Sequence, residues 1–264
     1  MNKATKVLAM LAAACCCATV AAAEYVPLPG GLFESVLPQG PVSTVSVPVE
    51  VAPFALRAMP VTVGEYLRFV EAHPQWQRQR VAAIFADRRY LFDWPTALQP
   101  PSATSRDSPV VNVSWFAAKA YCESEGARLP SWLQWEYAAA ADETRRDARS
   151  DPAWRRRILA WYERPGGAAL APVGGAPNAY GVRDLHGLVW EWVDDFNALF
   201  IAGDSRTQGD PDLLKFCGSG ALSIVDRDSY AVLMRIALLS SLNAADTTSN
   251  LGFRCARPID RNTP

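Results

Sequence analysis

The chemistry-bearing residues of this chain concentrate in the stretch GVRDLHGLVWEWVDD, Gly181 to Asp195. It sets Glu191 between Trp190 and Trp192, with Asp184 seven positions upstream and His186 between them. A carboxylate drawn toward a core between two indoles needs a partner, because an unpaired buried charge is very costly. Either Glu191 faces water from a sheet edge, or a positive group meets it. Residues 187, 189 and 191 alternate, so an extended segment aims them to one side. Carboxylates mixed with main-chain carbonyls are the ligands a hard cation such as calcium takes. The other reactive candidates are few: His73, His186 and the cysteines at 122, 217 and 255. No Ser/His/Asp hydrolase arrangement and no phosphate-binding loop stands out.

Composition narrows the partners. The 264 residues are 50 % hydrophobic and 20 % charged, with a formal net charge of -1, so nothing favours nucleic acid or an anionic membrane surface. Lys3 and Lys6, the apolar run Val7–Val20 and the small residues ending at Ala23 read as a secretory leader over 1–23. The remaining 24–264 read as one domain, exported and most simply periplasmic, with no membrane span. In an oxidising compartment its three cysteines give one disulfide and one odd thiol.

The elements that must position these residues announce themselves by their caps. Thr62-Val63-Gly64-Glu65 and Ser131-Trp132-Leu133-Gln134 are capping boxes. Ser114 precedes WFAAKAYCESE, and Asp151-Pro152 reads as N-cap and first helical residue of AWRRRILAWY. The Arg-rich piece Arg145–Arg157 reads as a solvated, charge-interspersed face. Short β-like runs such as VSTVSVPVEV are scattered among Pro- and Gly-rich segments. Helices gather in the first half of 24–264 and turns in the second, which predicts α+β.

Four segments together resemble the formylglycine-generating enzyme, or sulfatase-modifying factor, family. They are PVTVGEYLRFVEAH, PVVNVSWFAAKAYCESEGARLPSWLQWEYAAAA, NAYGVRDLHGLVWEWVDDF and SNLGFRCAR. The resemblance implies a single compact α+β domain related to C-type lectins, with much irregular structure. It also implies one structural calcium on the side chains of Asp184 and Glu191 and the carbonyls of Gly187 and Val189, and a disulfide between Cys122 and Cys255. Members of the family that make formylglycine hold copper(I) on two cysteines near the C-terminus. Laid back from Cys255 without gaps, those positions fall on Asp226 and Ala231. A methyl group donates nothing and a lone carboxylate is too hard for copper(I), so copper is not expected. Cys217, His186 and Asp226 are the residues left as candidates for any altered chemistry. The expected role is then that of a pseudoenzyme: an accessory or maturation factor gripping a protein or peptide client. The wording around Asp184–Asn197 resembles a bacterial subgroup associated with periplasmic copper enzymes. An oxidoreductase of altered chemistry and a lectin-like ligand-binding module are the alternatives.

Overall fold

The computed structural model describes residues 23–37, 47–102, 104–162, 169–199 and 230–259. Cys217 and Asp226 lie outside them, as does the expected leader except for Ala23.

The chain enters on β1 (Tyr25–Leu28), β2 (Gly31–Phe33), β3 (Val49–Val51) and β4 (Phe54–Arg57). Four helices follow: α1 (Val63–Ala72), α2 (Trp115–Ser124), α3 (Trp132–Ala139) and α4 (Pro152–Tyr162). The last elements are β5 (Trp190–Trp192), α5 (Tyr230–Ser240), β6 (Leu251–Phe253) and β7 (Ala256–Pro258). β4 lies between β1 and β7 in an antiparallel sheet, β2 pairs with β3, and β5 runs parallel to β6. No helix among the described residues is long and apolar enough to cross a membrane.

The caps work as their side chains dictate. Thr62 and Glu65 bond reciprocally at the start of α1, and Ser131 and Gln134 do the same at α3. Each box satisfies two amide groups that the helix itself leaves without partners. Ser114 accepts from the amide of Ala117 at 3.2 Å to begin α2. Asp151 accepts from the amide of Ala153 at 2.8 Å ahead of α4. The arginines near it form ion pairs, Arg145 with the buried Asp142 and with Asp151, and Arg157 with the exposed Glu143. The face is solvated, as its charge pattern predicts. α5 departs from the prediction of turns in the second half: its run YAVLMRIALLS is apolar nearly all round, and Ile236 and Leu239 are buried.

Four tryptophans, Trp94, Trp132, Trp135 and Trp192, are almost wholly buried. Burying an indole of ~200 Å² contributes roughly 5 kcal/mol before entropy is set against it. Trp192 Nε1 donates to the Val113 carbonyl at 3.0 Å, tying β5 to the segment before α2. Trp135 Nε1 spends its proton on Glu191 at 2.8 Å. Opposite Glu191 in the strand register stands Gly252. A Cβ there would come within 2.6 Å of the Val110 carbonyl oxygen, so only glycine lets β6 lie this close.

Candidate functional site

Glu191 is fully buried, and the positive group it requires is Arg254. Arg254 Nε donates to both carboxylate oxygens, at 3.1 and 2.9 Å, and Nη2 donates to Oε1 at 2.8 Å. With Trp135 Nε1 on Oε2, each carboxylate oxygen takes two contacts from three N–H groups in all, the Arg254 Nε–H being shared between the two. The remaining Arg254 donors reach the carbonyls of Arg57 and Ala58 at 3.2 Å and of Arg183 at 2.8 Å. A second buried guanidinium, that of Arg235, lies 3.5 Å over the Trp135 ring and donates to the Glu191 main-chain carbonyl. Low dielectric strengthens every contact in this cluster and makes the loss of any single partner expensive.

This arrangement bears on the calcium set. The charge of the Glu191 side chain is already answered by Arg254. Asp184, at φ +59°, turns its carboxylate to the amides of Gly174 and Gly175, at 2.7 and 3.1 Å. Gly187 and Val189 could add one carbonyl each beside Asp184, so that without Glu191 most of a six- to eight-oxygen shell would fall to water. Among the described residues there is no group of three or more His, Cys, Asp or Glu suited to a metal. As arranged, the set Asp184, Gly187, Val189 and Glu191 does not fit calcium, because a guanidinium already neutralises the carboxylate that would anchor it.

Cys122 and Cys255 form a disulfide, joining α2 to the residue between β6 and β7 across a separation of 133 residues. Ala231, where the resemblance puts a copper cysteine, is buried on α5 against Ala148, Trp154 and Ile158. It lines a cavity of about 30 Å³ between α4 and α5 that His186 also borders. The residue His186 is partly exposed, but its Nδ1 is enclosed and has no hydrogen-bond partner. Its Nε2 lies 2.9 Å from the Ala139 carbonyl, which places the proton on Nε2. The ring stands edge-on to Trp135 and Trp154, each at 5.7 Å. Burial, aided by Arg235, Arg254 and Arg157, pushes the imidazole down to about 4 despite its bond to Ala139. At neutral pH it is an uncharged ring whose free nitrogen is enclosed, poorly suited to proton transfer with a substrate.

The structure therefore brings His186 and Ala231 together, and it commits Cys122 and Cys255 to each other. It also adds two residues that sequence reading passed over, Arg254 and Arg235. Each is a lone charge in an apolar run, LGFRCA and VLMRIA, and that is the local signal by which a buried charge partner can be sought.

A third buried cation, Arg57, ties two helices to a strand beside this cluster. Arg57 on β4 pairs with Glu65 of α1 at 2.5 Å and with Glu125 at the end of α2 at 2.8 Å. Tyr121 accepts from the same guanidinium at 3.1 Å and donates to Glu125 at 2.9 Å. Two helices are thereby fixed to one strand, which sets the frame on which β5 and β6 rest.

Comparison with known proteins agrees with this architecture. The sulfatase-modifying factor enzyme 1-like domain matches residues 15–259. A formylglycine-generating enzyme of Streptomyces coelicolor is 36 % identical over 171 residues, covering 58 % of this chain and 53 % of that protein. A hercynine oxygenase of Mycobacterium tuberculosis is 32 % identical over 162 residues, covering 55 % of this chain and 38 % of that protein. The chain thus spans about half, or less, of the length of these two relatives. A Bos taurus protein named inactive C-alpha-formylglycine-generating enzyme 2 is 25 % identical over 284 residues, covering 89 % of this chain and 88 % of that protein. With its capped helices and short strands, and with the family domain matched over nearly its whole length, this chain belongs to the sulfatase-modifying factor family.

Proposed function

We propose that this protein binds a protein or peptide client on the family scaffold without carrying the copper oxidase centre, as an exported accessory or maturation factor. The observation that supports this reading is the methyl group of Ala231, buried where the resemblance puts a copper cysteine. The cysteines on either side of the core are unavailable in its place, being joined to each other. A methyl group packed with Trp154 and Ile158 offers copper(I) no donor atom. The likeness to a relative named inactive, over most of both chains, points the same way. An altered-chemistry oxidoreductase would have to work without His186, whose free nitrogen is sealed from solvent.

The client we favour is a periplasmic enzyme, with a copper enzyme as the class the sequence wording suggests. Competition for copper(I) against a chromophoric chelator tests the first half of the reading. The chain is expected to leave all the copper with the chelator. Retention of one copper per chain at sub-nanomolar affinity would overturn it, and would direct attention to Cys217.

A further inference from the structure

The stretch from Gln77 to Trp94 is irregular, yet it is pinned at many points. Gln77 Nε2 donates to the Val70 carbonyl at 3.0 Å. Tyr90 is buried, with its hydroxyl 2.7 Å from both the Tyr66 hydroxyl and the Trp76 carbonyl. Asp87 accepts from the Thr247 hydroxyl at 2.6 Å, and its amide donates to the Ala245 carbonyl at 2.8 Å. Leu91 donates from its amide to the Asn112 carbonyl at 2.9 Å. Arg78 closes the stretch by donating to the Trp94 carbonyl.

A loop held this firmly has the means to bury its apolar side chains, but several stay out. Ile84 is 73 % exposed, Phe92 50 % and Phe85 39 %. Along the same stretch Arg80, Arg88 and Arg89 are exposed, and none forms an ion pair among the described residues. The stretch holds four arginines against two aspartates, and Asp87 is already committed to Thr247. A rigid loop that shows aromatic, aliphatic and uncommitted guanidinium groups together has the composition of an interface core, where Phe and Arg are enriched. Loops positioned by a rigid scaffold are also where binding residues gather.

We infer that the surface formed by Arg80, Ile84, Phe85, Arg88, Arg89 and Phe92 docks an acidic protein segment that also carries apolar side chains. Charge complementarity selects the acid, since three guanidiniums stand without carboxylates. A membrane is a poorer fit: with Arg78 bonded to the Trp94 carbonyl three arginines remain, fewer than the four to eight basic residues that anionic lipid recognition takes. The inference rests on the client-binding reading only in identifying the occupant as the client.

The test uses the whole chain and a fluorescent synthetic peptide alternating Glu with Phe and Leu, followed by anisotropy at low and high salt. Controls are a Lys/Phe/Leu peptide, a Glu/Ser peptide and phosphatidylglycerol vesicles. Binding is expected for the Glu/Phe/Leu peptide alone and should weaken with salt. The pairs Arg88→Ser/Arg89→Ser and Ile84→Ser/Phe92→Ser should each weaken it about tenfold. All four positions are exposed, so the melting temperature should stay unchanged and rule out misfolding. No binding, equal binding of the Lys peptide, capture by the vesicles, or indifference to both variant pairs would overturn the inference. Copper retention would sink the proposed function and leave the anisotropy result untouched; absent peptide binding would sink the docking surface alone.

Discussion

Arg254 grips both carboxylate oxygens of Glu191, the closest contact being 2.8 Å, with neither side chain exposed to solvent. Breaking one half of such a pair leaves the other charge buried and unanswered, at about 3–5 kcal/mol. Arg254→Met and Glu191→Leu are each expected to destabilise by that amount in urea unfolding. Their double variant should cost less than the sum by more than about 2 kcal/mol, since the two changes remove one shared interaction. Additive losses would show that the contact carries no coupling.

If the guanidinium is what neutralises Glu191, the fold does not need calcium at that side chain. The melting temperature is expected to be the same in chelator and in excess calcium, for wild type and for Asp184→Ala. A calcium-dependent rise in melting temperature, lost in Asp184→Ala, would restore calcium to this segment by mass action.

The disulfide closes a loop of 133 residues, for which the chain-entropy model gives about 5 kcal/mol as an upper figure. Cys122→Ser/Cys255→Ser is expected to lose about 2–5 kcal/mol of stability. Wild type should show two more free thiols under denaturing conditions after reduction than before. Equal thiol counts would refute the pairing.

His186 gives the fold a defined acid limit. Its folded pKa of about 4 lies below the ordinary 6.5, so the unfolded chain binds the extra proton first. Stability from this group is complete above pH 6.5 and falls as pH drops toward 4, by up to about 3 kcal/mol. His186→Gln should flatten that part of the stability–pH curve while leaving the neutral-pH charge state unchanged. An NMR titration placing the imidazole near 6.5 would contradict the buried, neutral assignment.

What the sequence made legible was local. The capping boxes at Thr62 and Ser131 encode their helices within four residues, so their starts could be read directly. The family segments carried the fold class and the cysteine positions. The partner of Glu191 was not legible in the same way: Arg254 is 63 residues away and Trp135 is 56 away, and only the folded chain brings them together. Calcium was the partner expected from the resemblance, and the guanidinium emerged from three-dimensional geometry. α5 was missed because its run is apolar almost all round, so no one-sided period marks it as a helix. Cys217 and Asp226 lie outside the described residues, and the roles considered for them stand as the sequence left them.

The central claim is that this member of the family holds a client without oxidising it. The direct measurement is mass spectrometry of a cysteine-containing sulfatase-type peptide incubated with the chain, copper(I) and oxygen. The account predicts that the peptide keeps its thiol, with only the background oxidation seen without protein. Catalytic conversion of that cysteine to formylglycine, at more than one turnover per chain, would contradict it.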